Sequence, residues 1–217
     1  MSDLPAVRLF GPALSDTERF ALERDREDPL AGFRDRFELP ASSDGSPLVY
    51  LVGNSLGPLP RASREAVARV LDVWGREGVD GWFTPPDPWY EIDERFLEPL
   101  AELVGAKLHE VSVMNGLTVN LHLLLATFFR PVGARTKILI DAPCFPSDRF
   151  VVETQLRWHG LDPAEHLLEV GPDPGTDTVA EERFERVLAD RGDEIAIFLL
   201  GGVNFLTGQR FDLERLA

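Results

Sequence analysis

From residue 111 onward the chain alternates short, uninterrupted apolar runs with amphipathic stretches of helical length, and no other feature narrows its fold so far. The apolar runs are 111–114, 137–141 (KILID), 167–170 and 195–200 (IAIFLL), and helical periodicity covers about 118–129, 146–159 and 178–190. Strands without polar alternation are buried on both faces, and helices of that length between them act as crossovers between parallel neighbours. The expected fold class is α/β: a mostly parallel sheet with helices on both faces. Ligands of such sheets sit beyond the carboxyl ends of the strands. Three segments leave those ends, 115–120, 142–148 and 201–209, so residues far apart in sequence are expected to converge.

The first of these, Val113-Met114-Asn115-Gly116-Leu117-Thr118-Val119-Asn120, runs from an apolar strand through a glycine into an apolar helix, with Leu117, Leu121, Leu124, Leu125 and Phe128 expected inward. The first N–H groups of such a helix lack intrahelical partners and sit at the positive end of its dipole, so they can hold a phosphate, with the Thr118 hydroxyl as a further donor. Gly and Thr serve packing and capping at many other strand-to-helix turns. The second segment places Phe145 beside Ser147 and Asp148. The ring could stack on a flat heterocycle while Ser147 or Asp148 bonds a ring substituent; equally, Phe145 could cap the core and Ser147 or Asp148 favour the next helix's first turn. The third segment, 201–209, opens on two glycines, which fits either close backbone approach to a ligand or a strand exit.

Upstream, Ser15-Asp16-Thr17-Glu18 is a capping box opening a helix to about Arg24, and 48–52 is a short strand-like run ending in the turn Gly53-Asn54-Ser55-Leu56-Gly57. Residues 60–76 carry an apolar stripe of Val67, Val70, Leu71 and Trp74. A loop rich in Gly, Pro and Trp follows, and 90–104 is read as helix again.

A net charge of -15 argues against nucleic acid or an anionic membrane as partner, since phosphate would be repelled over most of the surface. No stretch approaches a membrane span, and the start lacks a signal-peptide pattern. The single cysteine, Cys144, rules out an internal disulfide and fits a reducing, cytoplasmic setting. The four histidines lack metal-ligand spacing, so no metal is expected; His122 reads as a core histidine, and Asp141, ending a strand, could be catalytic, although a loop-facing acid is the commoner case. No nucleophile elbow or Walker sequence is present.

Taken together, YLVGNSLG at 50–57, PW at 88–89, MNGLTVNLHLL at 114–124, FPSD at 145–148 and GVNFLTGQ at 202–209 resemble the kynureninases, in order and at family-like spacing. The resemblance implies a pyridoxal 5′-phosphate enzyme of the aspartate-aminotransferase-like fold. It would be a homodimer that hydrolyses L-kynurenine, or its 3-hydroxy form, to an anthranilate and L-alanine. It further implies that Leu117 and Thr118 bind the cofactor phosphate and that Phe145 stacks on the pyridine ring beside Pro146, Ser147 and Asp148. Ser55 and Trp82 fall where the family builds its substrate pocket. Trp82, where some relatives carry histidine, favours unsubstituted kynurenine, and Gly201 replaces a serine of some relatives.

The family's Schiff-base lysine, its acid opposite the pyridine nitrogen and its substrate-binding arginine lie beyond the GVNFLTGQ region. The only lysines here, Lys107 and Lys137, stand in other contexts. The expectation is therefore an N-terminal helical arm and GNSLG turn over 1–58, and over 59–217 the incomplete large domain of a transferase-like fold, with no catalytic residue of its own. The alternative is a non-catalytic binding or dimerisation protein that keeps the phosphate cup. A cysteine desulfurase or aminotransferase is disfavoured by FPSD and GVNFLTGQ.

Overall fold

The structure, a computed structural model, describes residues 18–46 and 48–217. It divides into two compact units, Met1–Ile92 and Asp93–Ala217.

In the first unit, helix α1 (Glu18–Glu27) is solvent-exposed and runs past the expected end at Arg24; Ser15 to Thr17 of the capping box lie outside the described residues. Residues 48–52 form no strand. The pairing goes instead to β1 (Phe37–Glu38) and β2 (Leu59–Pro60), which are antiparallel, while the Leu48 N–H donates to the Pro40 carbonyl. Helix α2 (Arg61–Glu77) starts directly after Pro60, whose fixed φ and missing N–H suit a helix entry. Its stripe is present, yet Val67, Leu71 and Trp74 are more than half exposed. The 3-10 turn Gly78–Trp82 then brings Gly81 under the Trp89 indole, where an added Cβ would lie 2.9 Å from the ring. Glycine is needed there for close approach.

The stretch expected to be one helix over 90–104 begins in short 3-10 turns, and in the second unit helix α3 covers only Leu97–Val104. Gly105, left-handed at φ 68, ends it, and the Ala106 N–H closes on the Ala101 carbonyl. Helix α4 (Leu117–Phe128) precedes β3 (Lys137–Asp141), α5 (Pro146–Trp158), the short α6 (Pro163–His166), β4 (Leu167–Val170), α7 (Glu181–Arg191), β5 (Ile195–Leu199) and the short α8 (Leu213–Leu216). The sheet is three-stranded and parallel in the order β4-β3-β5. Residues 111–114, expected as a first strand, form none: a strand exists only where a neighbour completes its ladder, and none of the described strands runs beside them.

The central strand explains the two-layered core. Successive side chains point to opposite faces, so Ile138 and Ile140 enter one cluster with Leu121 and Leu125 of α4, Phe129 at its end, and Val151, Val152 and Leu156 of α5. Leu139 enters the other, with Phe184 of α7, Phe211 and Leu216. Of the α4 residues expected inward, Leu121 and Leu125 are buried, whereas Leu117, Leu124 and Phe128 are exposed. A helix with apolar residues around its whole circumference does not declare its inner face; the sheet selects it. Helix α7 starts at Glu181 instead of 178 because both backbone groups of Val179 are taken by the side-chain amide of Gln209, at 2.8 and 2.7 Å.

From β3 the chain crosses to β4 on one side and then returns past β3 to β5 on the other. Right-handed crossovers in opposite directions put α5 and α7 on opposite faces and leave a crevice at the carboxyl end between β3 and β5.

Candidate functional site

A cavity of about 520 Å³ occupies that crevice. Its floor is Ile140 and Asp141 from the end of β3 and Leu199 from the end of β5, and its walls come from the three segments singled out in the sequence. Leu117 stands on one side, Phe145 and Asp148 on another, and Gly201 and Phe205 on the third. The convergence expected from the sequence is observed for these residues, whereas Thr118, Pro146 and Ser147, expected at the same site, do not line the cavity.

Helix α4 begins at the cavity wall. Gly116, its N-cap, has no side chain to accept a bond, and the N–H groups of Leu117, Thr118 and Val119 meet no acceptor among the described residues. The turn before it is unusual: Asn115 is left-handed at φ 33, and the Asn120 amide reaches back to the Met114 carbonyl at 3.0 Å. Several unpartnered donors at the positive end of a twelve-residue helix can receive an anion.

At the exit of β3, Phe145 caps α5 and Pro146 occupies its first turn. Ser147 Oγ donates to Asp148 Oδ1 at 3.1 Å, and the Asp148 N–H returns to the Phe145 carbonyl. Asp148 thus has a local role, since an acid in the first turn complements the dipole, and also borders the cavity. Phe145 is half exposed and meets Phe205 edge-on, with ring centroids 5.2 Å apart at 82°.

The residue that joins these segments is Asn204, which the sequence reading passed over. Its Nδ2 donates to Asp141 Oδ2 at 2.9 Å and to the Pro143 carbonyl at 3.0 Å, while its Oδ1 accepts from the N–H groups of Leu206 and Thr207 and from the Thr207 hydroxyl. An Asn followed at three residues by Thr and at four by a left-handed Gly, here Gly208, is an Asx-turn pattern that could have been recognised.

Burial pushes the Asp141 carboxyl above its ordinary value, with the nearby Asp148 adding to the rise and the Asn204 bond opposing it. The folded chain therefore favours neutral Asp141. Its contribution is greatest below the ordinary value of 3.8 and declines as pH rises toward the raised one. In urea titrations, Asp141→Asn is accordingly expected to gain stability relative to the wild type as pH is raised from about 3.8, and a pH-independent difference would contradict this. Burial, with Asp141, Glu169 and Asp148 nearby, raises the Cys144 thiol to about 11, so it is protonated at neutral pH and a poor nucleophile.

Neither lysine lines the cavity. Lys137 begins β3 at the opposite end of the sheet, where Nζ donates to the Glu165 carbonyl at 2.7 Å, and the exposed Lys107 lies 4.0 Å from Glu110. Ser55 and Trp82 belong to the first unit: Ser55 is exposed in a turn closed by its N–H to the Val52 carbonyl, and Trp82 packs edge-on against Trp89 at 6.0 Å. No group of three or more potential metal ligands and no helix long and apolar enough to cross a membrane occurs among the described residues.

No protein-family model matches the chain. It is 46% identical over 201 residues to the kynureninase of Myxococcus xanthus (strain DK1622), covering 93% of this chain and 47% of that protein. It is 45% identical over 204 residues to the kynureninase of Koribacter versatilis (strain Ellin345), covering 94% and 48%. Kynureninase 2 of Aspergillus clavatus is 38% identical over 222 residues, with the same coverage of 94% and 48%. The chain spans about half the length of the curated relatives it matches.

Proposed function

We infer, from a chain that is homologous to the kynureninases and spans about half their length, that the crevice between β3 and β5 is a pyridoxal 5′-phosphate site. The observation that carries this is that Leu117, Phe145 and Asp148 line one cavity at the carboxyl rim. The residues fit the cofactor in kind: unpartnered N–H groups at the start of α4 for a phosphate, a half-exposed aromatic ring for a flat heterocycle, and a mostly apolar chamber of ligand size.

In this reading the N–H groups of Leu117 and Thr118 and the Thr118 hydroxyl bind the phosphate, Phe145 covers one face of the pyridine ring, and Pro146, Ser147 and Asp148 complete that wall. Bound there, the cofactor supplies the electron sink for cleavage of an amino-acid side chain. The assembled enzyme, a cytoplasmic homodimer containing the large domain of a transferase-like fold, hydrolyses L-kynurenine or 3-hydroxykynurenine to the anthranilate and L-alanine. Ser55 and Trp82 contribute to substrate recognition, and the indole of Trp82 disfavours the 3-hydroxyl because it gives that group no acceptor. The part this chain plays is to hold and orient the cofactor. With no lysine in the cavity, a covalent lysine anchor is not supplied by its lining residues. That same observation favours a second reading, a non-catalytic chain that binds the cofactor without turning over substrate.

Titration of the 217-residue chain with pyridoxal phosphate, followed by the absorbance of the bound ring, tests the site. Saturable binding is expected that inorganic phosphate displaces and borohydride does not trap on a lysine. Phe145→Ala and Thr118→Val should each weaken it by about ten-fold, from a lost ring contact and a lost charge-assisted hydrogen bond. Absence of binding, or unchanged affinity in both variants, would remove the assignment.

A further inference from the structure

The loop 203–209 is anchored at both ends and at its centre. Asn204 is 5% exposed, with both amide hydrogens donated and its oxygen accepting three bonds. Its backbone N–H pairs with the Gln209 carbonyl at 2.8 Å and its carbonyl accepts from Gly208 at 3.0 Å, while the Gln209 side chain is clamped to Val179. A loop so fully bonded has little freedom. It delivers one ring, Phe205, to the cavity, against Phe145.

Packing alone explains this pair poorly. Phe205 is 43% exposed and Phe145 49%, neither belongs to a core cluster, and both border the cavity. The bonds from Asn204 also run to Asp141 and Pro143, on the segment that leads into Phe145. Backbone and ring of the Phe145 wall are thus held from the same loop.

We propose that Asn204 and Phe205 are positioning residues for the ring-binding wall: Asn204 ties the 142–148 segment to the 203–209 loop, and Phe205 fixes the tilt of the Phe145 ring toward a flat heteroaromatic phosphate ester. The proposal rests on the reading of the cavity as a pyridoxal phosphate site, and its test separates the two.

Pyridoxal phosphate is titrated into the wild-type chain and the Phe205→Ala and Phe205→Tyr variants, with the circular dichroism of the bound ring recorded. Amide hydrogen exchange over 142–148 is measured without ligand in these proteins and in Asn204→Asp. Phe205→Ala should bind about five-fold more weakly, the loss expected for one edge-to-face pair, with an altered ring signal. Phe205→Tyr, which keeps the aromatic contact, should restore both. Exchange over 142–148 should rise in Phe205→Ala and in Asn204→Asp, the latter placing a second carboxylate beside Asp141. Wild-type affinity, ring signal and exchange in Phe205→Ala would overturn the proposal, as would a tyrosine variant as impaired as the alanine one. A wild-type chain that binds no pyridoxal phosphate while exchange still rises in the variants would sink the cofactor reading and leave the positioning role standing.

Discussion

Replacing Phe184 by alanine is expected to cost about 4 kcal/mol of unfolding free energy. Phe184 is fully buried on the face of the sheet opposite α4 and α5, with Leu139 of β3 beneath it. Its ring lies 5.3 Å from Phe198 and 5.8 Å, nearly perpendicular, from Phe211. Truncation therefore loses the burial of a large ring and two aromatic contacts, and leaves a void between α7 and a sheet that cannot collapse around it because β3 is held from both sides. Denaturant unfolding of Phe184→Ala beside Phe128→Ala is the measurement. Phe128 is two-thirds exposed, so its loss should cost well under about 1 kcal/mol. Similar costs for the two would show that the second cluster is not a core.

Asn204→Leu should cost about 3 kcal/mol, for a different reason. Leucine matches the volume but strands Asp141, only 7% exposed, together with the Pro143 carbonyl and the N–H groups of Leu206 and Thr207. An unmade bond at a buried group costs more than the same bond contributes when made. The decisive comparison is the double variant Asp141→Leu with Asn204→Leu. Removing both partners should recover about 1 kcal/mol or more relative to Asn204→Leu, whereas additive losses would show that the two side chains do not act as a pair.

Much of the fold can be read directly from the order of residues. KILID, LLEV and IAIFL are too uniformly apolar for anything but strands covered on both faces, and each is observed as a parallel strand within a residue of its expected limits. The crossover helices follow from length and period, and Pro146 marks the start of α5. The convergence of Phe145 and Gly201 follows as well, because a parallel sheet sends the exits of β3 and β5 to the same rim; Leu117 reaches it although 111–114 is not a strand of that sheet.

Other features were not legible. Residues 111–114 have strand composition, but composition cannot supply the neighbour that pairing needs. Helix α4 carries apolar residues on every side, so its buried face, Leu121 and Leu125 and not Leu117 or Phe128, was chosen by contact with Ile138 and Ile140. The start of α7 was set from thirty residues away by the Gln209 amide on Val179.

The sequence by itself determined the α/β class, the three parallel strands and which turns meet at their rim, because these depend on periodicity and on the hand of the crossover, both local properties of the chain. Only the tertiary structure decided which strand lies at the centre, that Asn204 joins two loops 61 residues apart, and that Phe205 stands against Phe145. Those are bonds and contacts between distant segments, whose geometry exists only once the sheet has brought them together.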